Sequence, residues 1–316
     1  MHVRSQIPIS SVARALAVIG DRWTQLILRE AFLGATRFEE YRERTGAARS
    51  TLTKRLRKLE GNGLLRRTRY QAAPRRYAYH LTEKGLGLYP VVVMIWKWEI
   101  RWGRADEHLP RALVRRSCGH RAVPILRCVD CRGEIALGDC RFEDGPGAGS
   151  EAAPLGRLYR RRNSNSRLAD GEECLEASDL LGDRWSGLAL SCQFFGLHRF
   201  DEVQQSLGIA SNILTDRLKT LVANGILERK LYQQRPPRYD YRLTRKGRET
   251  YPFTLTLLLW GDRWLAGEAG PPLLIYHDTC GGRLGAVVTC GSCDGLLEPH
   301  GVSAEPAAEE ALARCS

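Results

Sequence analysis

Leu52, Leu56 and Leu59 recur at i, i+4 and i+7, which places them on one face of an α-helix. Between them stand Arg49, Ser50, Thr53, Lys54 and Arg57, a face of hydrogen-bond donors with no acidic residue among them. Gly61 and Gly63 stop this helix, and Leu64 and Leu65 begin an extended run. Upstream, Val12, Ala15, Leu16 and Ile19 pattern a first helix. Trp23, Leu26, Ile27 and Ala31 pattern a second, with Asp21 as its N-cap and Gly34 at its end. Residues 37–44 read as a short third helix with Phe38 and Tyr41 on one side, and Gly46 turns the chain into the donor-bearing helix. Downstream, residues 64–70 and 76–81 predict a β-hairpin whose second strand alternates Tyr77, Tyr79 and Leu81. Thr82 then caps a helix reaching about Gly103, with Pro90 near its first turns, so the helix kinks or restarts there. Helix, helix, helix-turn-helix, hairpin, long helix is a winged helix-turn-helix plan.

The plan is written twice. IGDRW at 19–23 recurs as LGDRW at 181–185, and FLGATRFEE at 32–40 as FFGLHRFDE at 194–202. LTKRLRKLEGNGLLRR at 52–67 recurs as LTDRLKTLVANGILER at 214–229, and PRRYAYHLTEKG at 74–85 as PPRYDYRLTRKG at 236–247. Cys118, Cys128 and Cys131 map onto Cys280, Cys290 and Cys293, all at one offset of 162 residues. The expected organisation is a first winged copy at 1–110, a Cys-rich ribbon at 111–140, a linker at 141–170, a second copy at 171–270, a second ribbon at 271–302 and a tail at 303–316. The linker contains DGPGAGSEAAP, without periodicity. It also contains a basic arm, RRRNSNSR at 160–167, which either follows phosphates or a minor groove or is simply solvated.

The motifs quoted above, with the Tyr-Pro that precedes each Trp-bearing helix, resemble HxlR-type regulators, winged-helix transcription factors related to the MarR group. The resemblance covers about 10–110 and 172–268. It implies a mainly α fold with small β-hairpin wings, of α+β type. It also implies a DNA-binding regulator, usually a homodimer joined through terminal helices, with the second helix of the helix-turn-helix as reader and the hairpin as wing. Many such proteins carry a sensing cysteine just before the first helix. Here Ser10 and Glu172 hold that position, with Cys174 two residues later, so thiol sensing by Cys174 or Cys192 gives way to buried or idle cysteines.

Charge strengthens the nucleic-acid reading for one copy. Residues 1–140 hold 27 Lys and Arg against 13 Asp and Glu, a balance of +14, whereas 141–316 hold 21 against 23, a balance of −2. An acidic partner is expected for the first half, double-stranded DNA before a membrane surface. Arg49, Ser50, Thr53, Lys54 and Arg57 would face the groove, where Arg and Lys suit guanine and the hydroxyls suit phosphate or either base edge. Arg66, Arg67, Arg69, Arg75 and Arg76 crowd the hairpin as a phosphate clamp. In the second copy the outward positions are Ser211, Asn212, Thr215, Asp216 and Lys219, and the wing keeps Arg229, Lys230, Arg235 and Arg238. Asn212 suits adenine, whereas Asp216 would repel phosphate unless it accepts from cytosine.

Two further groups carry chemistry. Cys118 and His120 precede Cys128-x2-Cys131, with Cys140 beyond; His277 and Cys280 precede Cys290-x2-Cys293, with His300 beyond. Each trio with a histidine resembles a small structural zinc ribbon, up to two in the chain. The fourth ligand is His120 or Cys140 in one copy and His277 or His300 in the other, and the alternative is a metal-free ribbon or a redox-active thiol pair. Trp23 and Trp185 read as core. Trp96, Trp98, Trp102, Trp260 and Trp264 seal the contact between copies or line an effector pocket.

No G-x-S-x-G, H-E-x-x-H or Walker A loop occurs, so an enzyme is not expected. The longest apolar runs are too short for a bilayer and no secretory signal is visible, so a cytoplasmic protein is expected. The combined expectation is a sequence-specific regulator, a repressor in preference to an activator, acting as an intramolecular pseudo-dimer on an imperfect palindrome, with a small-molecule effector as a further partner. The rival expectation is a ligand-sensing, redox-sensing or protein-binding module whose second copy has lost most DNA contact.

Overall fold

The computed structural model describes residues 10–73, 75–103, 109–149 and 183–305. The basic arm at 160–167, Cys174 and the first helix of the second copy lie outside these residues.

Copy one runs α1 (Ser11–Ile19), α2 (Arg22–Phe32), α3 (Phe38–Thr45), α4 (Arg49–Gly61), the hairpin β1 (Leu65–Gln71) and β2 (Arg76–Leu81), then α5 (Glu83–Leu86) and α6 (Tyr89–Trp102). Leu52, Leu56 and Leu59 are all buried, as their spacing dictates. Gly46 ends α3 in the left-handed conformation with φ 65°, its N–H returning to Arg42 O at 3.0 Å, which is where the absent side chain is needed. Pro90 does not kink a continuous helix. Thr82 caps α5 by accepting from Gly85 N, that helix stops after one turn, and α6 restarts with Pro90 in its first turn, where its missing N–H costs nothing. The wing is tied to the body by Tyr79 N, which donates to Thr36 O at 2.7 Å.

Copy two repeats this as α7 (Arg184–Phe194), α8 (Phe200–Leu207), α9 (Ser211–Ala223), β6 (Leu227–Gln233), β7 (Arg238–Leu243), α10 (Arg245–Arg248) and α11 (Tyr251–Leu265). Tyr241 N donates to His198 O at 2.8 Å, so the second wing is tied in the same way.

The copies are not separate beads. Their buried apolar side chains form one continuous cluster, and α6 packs against α11. Trp98 Nε1 donates to Lys246 O at 3.1 Å, and Trp260 Nε1 donates to Lys84 O at 3.0 Å, the same bond made twice across a pseudo-two-fold axis. Symmetry breaks one turn later: Trp102 Nε1 donates to Glu249 Oε2 at 2.7 Å. Trp264 Nε1 is buried with no partner, because Gly87 stands where that glutamate would be. These four tryptophans seal the contact between copies. Trp96 faces elsewhere, donating to Pro110 O at 2.8 Å.

The first helix departs from the expected division at residue 110. α1 lies against α11 and α7, elements of copy two. Ser11 Oγ donates to Asp262 Oδ1, and Arg14 donates to Leu265 O at 3.0 Å and Ala266 O at 2.9 Å, covering carbonyls orphaned at the end of α11. Gly261 and Gly187 make room: a Cβ on Gly261 would overlap the Ser11 carbonyl, and one on Gly187 would come 2.9 Å from Leu16 Cδ1.

The ribbons are interleaved more completely. β3 (Ala112–Arg115), β4 (Pro124–Cys128) and β5 (Cys140–Asp144) pair antiparallel with β10 (Val302–Glu305), β9 (Ala286–Cys290) and β8 (Leu273–His277) respectively. Leu126 faces Val288, its own equivalent at the offset of 162, so the pseudo-axis passes between β4 and β9. Two self-contained ribbons at 111–140 and 271–302 are therefore not what forms, since every strand of one pairs with a strand of the other. β5 also extends into the expected linker and β10 into the expected tail.

Replacing Gly261 by Val should lower unfolding stability by about 1–3 kcal/mol, because the α1–α11 backbones must part. Chemical denaturation checks this, and an unchanged midpoint would contradict the close crossing.

Candidate functional site

The candidate DNA-contacting face begins with how α4 is held. Asp21, the N-cap of α2, accepts from Thr24 N at 3.0 Å and from Thr24 Oγ1 at 2.6 Å. The same carboxylate forms ion pairs with Arg55 at 2.8 Å and Lys58 at 3.5 Å. One side chain thus starts α2 and pins α4 to it. In copy two Asp183 accepts from Ser186 N at 3.0 Å and pairs with Arg217 at 2.5 Å, but Thr220 stands in place of Lys58. This gives the Asp of the Gly-Asp-Arg-Trp motif its role, and it turns Arg55, which the sequence reading left unassigned, inward to the body. The inward i, i+3 spacing of Arg55 and Lys58 was the signal available in the sequence.

On α4, Arg49, Ser50, Lys54 and Arg57 are exposed, and Thr53 is half-buried with its hydroxyl donating to Arg49 O at 2.8 Å. Arg49 is not idle: it pairs with Glu39 at 2.6 Å and lies over the Phe38 ring. On the wing, Arg66, Arg67 and Arg69 of β1 are exposed, as are Arg75 and Arg76. Arg67 stacks 4.4 Å from the centroid of Tyr77 and pairs with Glu60 at 3.4 Å, which holds its guanidinium over the strand. The second copy offers Ser211, Asn212, Asp216 and Lys219 exposed on α9, with Thr215 half-buried. Its wing exposes Arg229, Lys230, Arg235 and Arg238. There Arg229 stacks 4.1 Å from Tyr239, and Lys230 is paired with Glu228 at 2.8 Å. The same frame therefore presents two surfaces of different charge.

Eight Cys and His side chains converge on two clusters, and the interleaved strands decide which meet. Cys118 and His120 lie with Cys290 and Cys293; Cys128 and Cys131 lie with His277 and Cys280; the donor atoms within each cluster lie inside 4.8 Å of one another. The expected grouping within each copy is thus replaced by a crossed one. Strand pairing causes it, because the knuckle after β4 approaches the turn after β8, and the knuckle after β9 approaches the turn after β3. Cys140 faces His277 in the β5–β8 register without joining a cluster, and His300 joins neither. The three cysteines of each cluster are equivalent at the offset of 162, but the histidine is not. His120 follows its cysteine by two positions, whereas His277 precedes its cysteine by three, and Arg115 and Gly282 stand in the reciprocal places.

The donor set fits zinc. A tetrahedron with Zn–S near 2.3 Å and Zn–N near 2.0 Å sets donor atoms roughly 3.5–3.8 Å apart. Cys118 and Cys293 sulfurs are 3.5 Å apart, Cys128 and Cys280 sulfurs 3.9 Å. His277 Nδ1 lies 3.3 Å from Cys131 Sγ and 3.5 Å from Cys280 Sγ. The backbone N–H of His120, then Arg115 and Cys293, draw the Cys118 thiol down to about 6, towards the thiolate that a metal requires. Cys192 is buried in α7 and burial pushes its thiol far up, so it is chemically quiet.

A basic helix-turn-helix with an arginine-rich wing on a helical body defines a DNA-binding transcriptional regulator. The model of the HxlR-like helix-turn-helix matches residues 18–107 and again 180–269, and the chain belongs to that family. Among its relatives, an uncharacterized HTH-type transcriptional regulator of Mycobacterium tuberculosis is 41% identical over 141 residues, 45% of this chain and 89% of that protein. One of Synechocystis is 38% identical over 92 residues, 29% of this chain and 68% of that protein. Two solved structures described as candidate transcription factors, PA1607 and PA1374, are each 35% identical with TM-scores of 0.33. They cover 40% and 44% of this chain and 84% and 97% of their own. No helix among the described residues is long and apolar enough to cross a membrane.

Arg55 and Arg57 separate support from contact. Arg55→Ala should lower the melting temperature by about 2–4 °C, the effect of roughly 1 kcal/mol on a chain of this size. Arg57→Ala should leave melting unchanged and weaken DNA binding. Paired melting curves and gel shifts check this; the reverse pattern would refute the division.

Proposed function

We propose that this chain supplies both halves of a regulator that in single-copy relatives takes two chains. It would then bind as an intramolecular pseudo-dimer to an imperfect palindrome, with half-sites about one helical turn apart, roughly 34–36 Å. The observation that carries this reading is the pseudo-two-fold pairing of β4 with β9 about Leu126 and Val288. The relative matched over 89% of its length by under half of this chain supports it. The unlike reading helices support an unlike pair of half-sites: exposed Lys54 in one copy answers to exposed Asp216 in the other. Copy one supplies most of the phosphate affinity through α4 and its wing, and Asn212 of copy two is its best base reader. Occupancy of such a site blocks a promoter most simply, so repression is the favoured sign. The chain acts as a regulator rather than an enzyme, in the cytoplasm where DNA is, and a small molecule adjusts its affinity.

Both crossed clusters are assigned structural zinc. Four N/S donors of low mutual distance and no open position suit a closed site, and ligands drawn from both copies make each ion a bolt between them.

Two measurements test these readings. Using DNA selected from a random pool, neutralising Arg49, Lys54 and Arg57 together should abolish the gel shift, whereas Lys219→Ala should weaken it only several-fold. Wild-type affinity should fall steeply between about 50 and 200 mM salt; equal losses in the two copies would refute the asymmetry. Metal analysis of protein purified without chelator should find two zinc ions per chain, one after Cys118→Ser with Cys293→Ser, and none after Cys118→Ser with Cys128→Ser. Grouping within copies would give the opposite counts for the two double variants.

A further inference from the structure

Glu39 lies in the first turn of α3 and is tied twice. Its Oε1 accepts from Arg49 Nη2 at 2.6 Å, and its other oxygen accepts from Arg42 Nε. Arg49 is the first residue of α4, and its guanidinium carbon also stands 5.5 Å from the centroid of the Phe38 ring. The neighbouring Glu40 does a different job. Its carboxylate accepts from Thr36 N at 2.7 Å and from Arg37 N at 2.9 Å, and so starts α3. Starting the helix therefore does not need Glu39. Lys54 and Arg57, exposed on the same face of α4 as Arg49, form no ion pair among the described residues.

Copy two keeps the frame and drops the tie. Glu202 answers to Glu40 and likewise accepts from Arg199 N, at 3.0 Å. Phe200 repeats Phe38, but Asp201, Gln204 and Ser211 stand for Glu39, Arg42 and Arg49. The carboxylate is one methylene shorter there, and both guanidinium groups are gone. What the fold needs is thus present in both copies, whereas the two-arginine tie belongs to copy one, whose α4 is the basic helix.

An isolated exposed ion pair holds a side chain weakly. Here two arginines share one carboxylate and a ring backs one of them, so the guanidinium plane of Arg49 is set before DNA arrives. One of its five N–H groups is spent on Glu39, and the others stay available. Setting a planar fork in advance reduces the rotamer freedom lost on binding. It also favours the partner that matches the fork in its plane, guanine O6 and N7 in the major groove. The first residues of a reading helix are those that reach base edges. Two guanidinium groups on one carboxylate keep a net charge of +1, so the tie does not turn phosphate away. We propose that Glu39 is a positioning residue that, with Arg42 and Phe38, makes Arg49 the guanine-specific reader of copy one. Lys54 and Arg57 then supply attraction to phosphate that is blind to sequence. The inference rests on the reading of α4 as the helix that contacts DNA, and the experiment separates the two.

The test selects DNA from a random pool with the full wild-type chain and again with Arg49→Ala. The wild-type selection should fix a guanine that the Arg49→Ala selection does not. At constant salt, replacing that G·C pair by A·T should weaken wild-type binding about ten-fold or more, and Arg49→Ala should bind both duplexes almost equally. Glu39→Gln keeps the shape and removes the charge. It should lower the wild-type preference by about three-fold or more, while affinity for an unselected duplex holds or rises because a negative charge near phosphate is gone. In the Arg49→Ala background the same change should leave the preference where it was, since charge alone acts on both duplexes alike. Arg42→Ala, which frees the other oxygen of Glu39, should lower the preference in the same direction, and it decides the matter if melting curves find Glu39→Gln unfolded. Should Glu39→Gln keep the full wild-type preference, or lower it equally without Arg49, the positioning role is overturned and the reading of α4 stands. Should wild type fix no guanine that Arg49→Ala loses, that reading fails for Arg49 and the inference fails with it.

Discussion

Neither Cys-rich segment can complete itself. Each of its strands has one edge that must find a hydrogen-bonded neighbour, and burial of an unpaired edge is costly. Here every such edge is satisfied by the other copy, through β3 with β10, β4 with β9 and β5 with β8. The thiols follow the strands, so the two donor clusters are shared as well. With α1 crossing to α11 and α7, three separate exchanges join the halves. The arrangement of the two helix-turn-helix units depends on this joint, because α2 and α4 are locked to each other while, among the described residues, α6 and the ribbons carry contacts to the other copy.

On that joint the two copies keep some contacts and vary others. Asp21 and Asp183 keep the α2–α4 and α7–α9 clamps, and Trp98 and Trp260 keep their bonds across the axis. Change falls on solvent-facing positions, as with Lys54 against Asp216, and within the joint, as with Glu249 against Gly87 and His277 against Arg115. The ion pair of Asp21 with Arg55 and Lys58 gives α2 a second importance. Its N-cap both starts α2 and holds α4.

The sequence disclosed most of this fold because periodicity and repetition are local signals. The leucine stripe of α4, the Thr82 cap and the alternation of Tyr77, Tyr79 and Leu81 each follow from spacing along a single element. The resemblance to HxlR-type regulators rested on such stretches, and the family match at 18–107 and 180–269 agrees with it. Which copy completes which was not legible. The Cys-x2-Cys spacings are the same whether a knuckle closes on its own ribbon or on the other, and only the β4–β9 register decides. The restart at Pro90 was open for a similar reason, since proline permits either outcome until the packing of α6 against α11 selects one.

A homodimer must build both halves of its interface and both candidate pockets from one sequence, so any side chain that opens a cavity opens two. A chain that encodes both halves is free of that constraint. Phe142 and Phe195 meet as tilted rings in one half, where the other has Ala304 and Leu33, and neither choice is forced on its counterpart. The same freedom separates the reading helices, one carrying Lys54 and the other Asp216. The cost is that the halves no longer balance: Trp264 Nε1 is left without the acceptor that Glu249 gives to Trp102. An unpaired indole N–H one turn from a tryptophan bond made twice across the axis is the physical trace of two copies no longer held to one sequence.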